Sequence, residues 1–306
     1  MMKGARMLRG IATAGAALMA AILAGAGPAQ AYTNLSGVWQ ATYFEDWPDR
    51  LPGPELGDYG GLPLNDHDRL RAQSWSASLI ALPEYQCRVH PSDYANSFAN
   101  IRIWEEWEPK TQRLIAIHLL HFAWNTERTI WMDGRPHPPE YAEHTSMGFS
   151  TGVFKGHILE VTTTHLKEGW LRRNGVARSD EAVVTEHFIR QGDDLNWTVY
   201  VQDPVYLEEP FIRNRDYKFN PHATIPPYTC ESVVEIDRPE GYIPHYLPGE
   251  NPYIMEFAER RRIPFEAAMG GAETMYPEYM EKMRKMELPP EFGSEDAKSG
   301  QQGDGQ

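Results

Sequence analysis

The densest grouping of chemically active side chains is Asp133-Gly134-Arg135-Pro136-His137-Pro138-Pro139-Glu140, running on to His144. Its prolines restrict the unfolded segment and so lower the entropy lost when its polar groups are held in place. His137 or His144 has the side chain for general-base catalysis near neutral pH, with Asp133 holding the imidazole tautomer. Arg135 fits an anionic group on a ligand. The alternative is a surface loop whose acid and arginine tie it to the scaffold. His165, at the end of an apolar strand face, Glu186 and Trp131 are candidates for the rest of a pocket. The same residues allow a second chemistry, in which His137, His144, His165 and Glu186 converge on a divalent metal. No HExxH-type chelating motif supports that second reading.

Other patterns carry less. Gly148-Phe149-Ser150-Thr151-Gly152 matches the G-x-S-x-G of hydrolase nucleophile elbows. That motif needs a strand before it and a helix after it, and here a β-hairpin is predicted to follow. His118 and His121 lie three apart on a strand, so they point to opposite faces and cannot chelate one ion together. Glu186 and His187 diverge for the same reason. Lys167-Glu168-Gly169-x-x-Arg172-Arg173-Asn174-Gly175 is a basic loop on an acidic protein, placed either to steer a carboxylate or phenolate ligand or simply as a solvated hairpin tip. Trp104, Trp107, Trp124, Trp131, Trp170 and Trp197 lie in or beside strands and suit a pocket for a flat hydrophobic molecule, or ordinary core packing.

The elements that must position these residues are mostly strands. Leu35–Phe44 alternates and is rich in β-branched and aromatic residues. A Pro- and Gly-rich loop follows, then a helix capped by Asn65 with Asp66 and Asp68 in its positive first turn, running to about Ile80. Strands are expected at 101–108, 113–123, 127–133, 146–154, 157–165, 181–191, 195–203, 206–219 and 228–236. No helical crossover separates them, so the pattern argues an antiparallel barrel or sandwich. Asn251-Pro252 signals a helix carrying Ile254, Phe257 and Ala258, and a second is expected at about Pro277–Met286. Met280, Met283 and Met286 on it read as adaptable packing against a barrel wall. Residues 293–306 read as a disordered tail. The expected organisation is a signal peptide over 1–31, a β-barrel domain over 32–248 with a helical insert at about 64–82, a helical extension over 249–292, and the tail.

Composition limits the partners. The chain has 306 residues and a formal charge of -14. The first 31 residues hold Lys3, Arg6 and Arg9, no acid, an apolar stretch from Ile11 and Ala29-Gln30-Ala31, the pattern of a secretory signal peptide. The remainder is therefore still more acidic, which disfavours nucleic acid. No later stretch is long and apolar enough to span a bilayer. A periplasmic or secreted location follows, and there Cys87 and Cys230 read as one disulfide, the alternative being two buried thiols.

Gly37-x-Trp39 on the first strand resembles the opening motif of lipocalin-type barrels, in which the tryptophan closes the base of an eight-stranded cup. A broader likeness is carried by Pro63-Leu64-Asn65-Asp66, Pro83-Glu84-x-Gln86-Cys87-Arg88, Met132-Asp133-Gly134-Arg135-Pro136-His137-Pro138-Pro139, Gly148-Phe149-Ser150-Thr151-Gly152, Thr163-Thr164-His165-Leu166-Lys167-Glu168-Gly169 and Thr185-Glu186-His187. These blocks resemble a family of uncharacterised exported bacterial proteins, which implies a shared fold and site and brings no activity. The resulting expectation is a mainly β, lipocalin-like antiparallel barrel. It acts on a small hydrophobic or aromatic molecule by acid–base chemistry without a cofactor, as a lyase, hydratase or isomerase. The alternatives are a non-catalytic periplasmic carrier of the same ligand class and a metal-dependent hydrolase.

Overall fold

A computed structural model describes residues 32–42, 54–95, 99–122, 126–290 and 292. The expected signal peptide, the expected tail and Trp124 lie outside the described residues. Nine strands close a barrel in the order β1-β11-β10-β9-β6-β5-β4-β3-β2. They are β1 (Gly37–Ala41), β2 (Ile101–Trp107), β3 (Leu114–His121), β4 (Thr126–Trp131), β5 (Phe149–Lys155), β6 (Ile158–Thr164), β9 (Val183–Gln191), β10 (Asp194–Gln202) and β11 (Phe211–Phe219). Between β6 and β9, β7 (Gly169–Trp170) and β8 (Ala177–Arg178) form a separate hairpin.

The expected barrel is present, with two differences from an all-antiparallel eight-stranded cup. Every antiparallel pairing reverses strand direction, so a ring of nine cannot close with antiparallel pairs alone. The one parallel pair is β4 with β5, where Ile130 faces Ser150 and Trp131 faces Thr151. Parallel neighbours need a long connection, and residues 132–148 supply it. The expected strand at 228–236 does not form. The barrel ends at Phe219, and the described residues 220–255 form no strand or helix. Val233, Val234 and Ile236 are exposed, because the segment is bound to the insert and not to a sheet. Cys230 is disulfide-bonded to Cys87, Ser232 Oγ donates to the Pro83 carbonyl, and the Val233 amide donates to Gln86 Oε1.

The insert is broken where one helix was expected. Helix α1 (Asp66–Gln73) has Asn65 as its cap, with Asn65 Oδ1 accepting from the Asp68 amide at 3.0 Å. It stops at Ser74, whose hydroxyl donates to the Arg71 carbonyl. A 3-10 turn (Ala77–Ala81), α2 (Pro83–Gln86) and α3 (Ser92–Ala95) follow. In the C-terminal extension, α4 (Glu256–Arg261), α5 (Phe265–Ala268) and α6 (Pro277–Met283) are short. Asn251 does not cap a helix; its amide donates to the carbonyls of Gln73 and Trp75 and fastens the extension to the insert. Met280 is exposed, and the buried residue of α6 is Tyr279.

Alternation along the strands sends one side chain in two inward. One end of the interior is apolar, with Trp39, Phe188, Leu195, Trp197 and Tyr217 buried together. The motif tryptophan Trp39 donates to the Leu35 carbonyl at 2.9 Å, and Arg190 lies over its ring. The other end is polar. Arg128 of β4 and Glu186 of β9 form a two-pronged pair at 2.7 and 3.0 Å, and Trp197 Nε1 donates to the same carboxylate at 2.8 Å. Both charged side chains are within 3 % of complete burial. Helix α3 closes this end: Ser92 Oγ accepts from Arg128, and the Asp93 carbonyl accepts from Arg213 of β11.

Removing one member of a buried, hydrogen-bonded pair leaves a charge without compensation, at a cost of about 3–5 kcal/mol. Glu186→Gln should lower stability by that order in urea unfolding. Arg128→Met combined with Glu186→Leu should recover at least half of the loss. A double variant no more stable than the single one would show that the pair itself is not the source.

Candidate functional site

The crossover between β4 and β5 runs over the outside of the wall, not into the barrel. Thr151 of β5 and Thr164 of β6 point outward, and His137 is clamped between them. Its Nδ1 is 2.8 Å from Thr164 Oγ1 and its Nε2 is 2.8 Å from Thr151 Oγ1. Burial, then the nearby His165, holds the His137 pKa below its ordinary value. His144 bonds the Leu166 carbonyl through Nδ1 at 3.1 Å, and its ring lies edge-on to His165, 5.2 Å between centroids.

Asp133 does not orient either histidine. It binds Arg135 through three side-chain contacts of 2.6 to 3.1 Å, and this pairing lowers the Asp133 pKa to about 2. Arg135 also stacks on Trp131, 3.5 Å from the ring centroid. Acid, arginine and tryptophan thus form one outer-surface unit, as in the surface-loop alternative.

Strand alternation placed His165 on the inner face with Val161 and Thr163. The structure corrects this, because β6 ends at Thr164 and His165 takes φ 57°. That left-handed step turns the ring outward, onto Thr164 Oγ1 at 2.7 Å and the Pro139 carbonyl at 3.0 Å. Glu186 faces the interior with Arg128. The wall therefore separates Glu186 from His137, His144 and His165, and the four do not converge on a metal. Among the described residues no group of three or more His, Cys, Asp or Glu is placed to hold a metal ion.

Ser150 is buried on a strand, with its hydroxyl 2.8 Å from Thr163 Oγ1, so the G-x-S-x-G run is not an elbow. Gly148 is required there by its φ of +65° and by the Thr164 carbonyl, 2.5 Å from where a Cβ would sit. His121 points inward and His118 outward to Glu106 at 3.0 Å, as alternation requires.

A different place has the form of a ligand site. Beyond α3, at the plugged end of the barrel, the insert, the 165–178 segment and the arm 243–253 enclose a cleft of about 440 Å3. Its walls include Leu56, Trp75, Ile80, Arg173, Tyr246 and Tyr253. Trp75 also borders a second pocket of about 180 Å3, which carries Arg71, Arg88, Glu168, Trp170 and His245.

The walls are made locally. The break after α1 turns Trp75 out of the helix and edge-on to Trp170, 5.2 Å between centroids. Tyr85 stacks on the Trp170 ring at 5.6 Å between centroids. Gly175 lets the hairpin meet α1, since a Cβ there would lie 2.7 Å from the Ala72 carbonyl and its φ is +98°. The Tyr246 amide donates to the Ser74 carbonyl, and the Cys87–Cys230 bond ties in the chain that leads to the arm.

The polar groups of the smaller pocket are arranged around Glu168. Arg71 pairs with its carboxylate and Arg88 donates to its carbonyl. Arg88 also lies over the Tyr85 ring. His245 Nδ1 donates to the Ile243 carbonyl at 2.8 Å, which leaves Nε2 as the lone-pair nitrogen. Beneath the pocket His90 is buried against Tyr94 and Trp170. Burial, then Arg88 and Arg173, pushes its pKa down to about 3.

Of these residues, sequence reading singled out the basic 167–175 loop and Trp170. It missed Trp75 as a wall, together with Tyr246, Tyr253 and His245. The signal for the arm was the cysteine pair, which requires the chain near Cys230 to return to the insert.

Asp68 in the first turn of α1 braces the hairpin, its carboxylate accepting from the Ala177 amide at 3.1 Å. Burial raises its pKa from 3.8 to about 7. The folded state therefore holds more protons than the unfolded one between those values, and loses stability as pH rises through 7. At about 1.4 kcal/mol per unit the loss reaches roughly 4 kcal/mol as an upper figure. His90 acts in the opposite sense, taking stability away as pH falls below 6.5 towards 3. Asp68→Asn should raise the melting temperature at pH 8.5 and flatten its decline from pH 5.5 upward. An unchanged pH profile would mean that Asp68 is ionised in the folded protein. Compared with protein-family models, curated proteins and solved structures, the chain matches none.

Proposed function

We propose that the protein is an exported binding protein for a small, flat, largely apolar molecule carrying an anionic group. The observation that carries this reading is the Trp75 cleft. Its volume falls in the range of roughly 300–1,000 Å3 typical of small-molecule sites. Aromatic and aliphatic side chains form much of its wall, and Arg173 borders it. Aromatic faces give apolar area with little rotamer entropy to lose, which favours a planar ligand. Arg71 and Arg88 lie across Trp75 in the adjoining pocket, so a basic rim sits on a chain of charge -14. That local excess would attract and orient an anion. The disulfide and the amino-terminal segment are compatible with a periplasmic or secreted carrier.

An acid–base enzyme on the same ligand class is the second reading. It does not rest on Asp133, whose carboxylate is occupied by Arg135. It rests on His245, whose ring is held in one tautomer with Nε2 available in the smaller pocket. Under this reading a bound ligand is converted and His245→Ala stops conversion without weakening binding. Under the carrier reading the bound ligand is recovered unchanged.

The direct test uses two dyes of similar size, 8-anilinonaphthalene-1-sulfonate and the neutral N-phenyl-1-naphthylamine. Both should bind saturably at one site and quench tryptophan emission. Trp75→Ala should weaken both by about tenfold, or about 1.4 kcal/mol. Arg173→Gln should weaken the sulfonate several-fold and leave the neutral dye nearly unchanged. Binding that is indifferent to Trp75 would remove the cleft from consideration.

A further inference from the structure

We infer that the 132–148 crossover is an acid-sensitive latch on the ligand site, fastened by the chain Thr151–His137–Thr164–His165–Pro139; this rests on the binding reading given above. The chain has one polarity with both imidazoles neutral. The Pro139 carbonyl can only accept, so His165 Nε2 carries the proton. His165 Nδ1 then accepts from the Thr164 hydroxyl. Thr164 Oγ1 accepts from His137 Nδ1, and His137 Nε2 accepts from the Thr151 hydroxyl. A proton added at His165 turns Nδ1 into a donor, which the chain can meet by reversing Thr164 and placing His137 in its other tautomer. A second proton makes both imidazoles donors to the one Thr164 oxygen, whose two lone pairs can accept both, and sets two like charges on either side of a single hydroxyl. The chain therefore accommodates one proton by full reversal and opposes two.

The latch is continuous with the pocket. His144 holds the Leu166 carbonyl, the Thr145 amide donates to the His165 carbonyl, and the Lys167 amide donates to the Thr145 carbonyl. Glu168, Gly169 and Trp170 come next along the chain, and all three line the smaller pocket. Releasing residues 144–145 from 165–167 removes the ties at the amino-terminal side of that wall, leaving it held by Arg71, Arg88 and Arg178.

The charged groups on the surrounding elements set the direction. From the crossover come His144, the mutually paired Asp133 and Arg135, and the exposed Glu140 and Glu143. The 165–167 segment adds Lys167. Farther along the same outer face, Glu160 is already paired with Lys155 and His187. Thr151 and Thr164 are the contacts from β5 and β6 and carry no charge. Of the groups around it, His165 is the one whose charge opposes protonation of His137. Desolvation of His137 adds to the opposition, so the closed latch costs more as pH falls below the ordinary histidine value of 6.5.

The test uses the disulfide-bonded mature protein, with nitrogen-15 NMR of the histidine rings and amide hydrogen exchange from pH 8 to 5. Dye titrations with 8-anilinonaphthalene-1-sulfonate run in parallel. Its sulfonate stays ionised throughout, and Trp75→Ala serves as the weak-binding control. Above pH 7, His137 should carry its proton on Nδ1 and His165 on Nε2, and the two should titrate in coupled steps. After correction for intrinsic rates, Thr145 and Lys167 amides should exchange at least tenfold faster at pH 5 than at pH 7.5. Dye affinity should fall several-fold over the same interval. Thr164→Val should uncouple the histidines and give weak, pH-independent binding, and Thr164→Ser should restore the wild-type behaviour. Opposite tautomers, or independent titrations in the wild type, would overturn the latch. An intact latch with pH-independent dye affinity would overturn its control of the site. Absence of dye binding at every pH would instead remove the binding reading, while the ring tautomers and exchange rates still decide the latch.

Discussion

A ring of nine strands cannot close by antiparallel pairing alone, and that parity constraint organises the outer parts of this protein. It forces one parallel neighbour pair, β4 with β5, and with it a connection too long to be a hairpin. The connection is the proline-rich stretch that holds three of the chain's most reactive-looking side chains. Its prolines favour extended backbone, His137 finds partners on the outward threonines of β5 and β6, and His144 bonds the Leu166 carbonyl. A segment that reads as a catalytic loop thus has a topological task. It returns the chain to the start of β5 while bracing the 165–167 segment that leads into the wall of the smaller pocket.

The interior follows a second constraint, the cost of burying charge. Arg128 and Glu186 are tolerated in the barrel because two parallel hydrogen bonds, Trp197 Nε1 and Ser92 Oγ meet all of their polar atoms but Arg128 Nε. Ser92 comes from α3, so meeting those hydrogen-bond needs also draws a helix over the end of the barrel. The same logic continues outward. Asp93 binds Arg178 at 2.6 Å, and Arg178 reaches the carbonyls of Lys167 and Ser179. This polar stack occupies the place where a lipocalin-type cup would be open. The concave surface moves one layer out, between the insert, the hairpin and the arm. It takes its aromatic character from Trp75, Trp170 and Tyr246, and its positive rim from arginines beside Glu168.

Much of this was legible from residue order. Alternation located the eight barrel strands from 101 onward and the first strand near Trp39. The cap at Asn65, the opposed faces of His118 and His121, and the disulfide also followed from local rules. Those rules depend on spacing, capping chemistry and redox compartment, none of which needs the fold. The strand expected at 228–236 fails because β-branched residues favour extended backbone without supplying a partner strand. In that stretch the pairing is with Pro83 and Gln86 through Ser232 and Val233.

The sequence by itself determined a β-barrel with a helical insert and extension, an acidic surface and a long-range cysteine pair. Strand period and composition are local properties, and they suffice for those conclusions. Tertiary structure alone decided which side of the wall each functional candidate occupies. One left-handed residue, His165, reversed the face assigned by alternation. One bidentate arginine, Arg135, took the carboxylate that a histidine would have needed. The cleft unites residues as far apart as Leu56, Trp75, Arg173 and Tyr253. Their convergence is set by ring closure, the plug and the disulfide, which act over distances in the chain that no local pattern records.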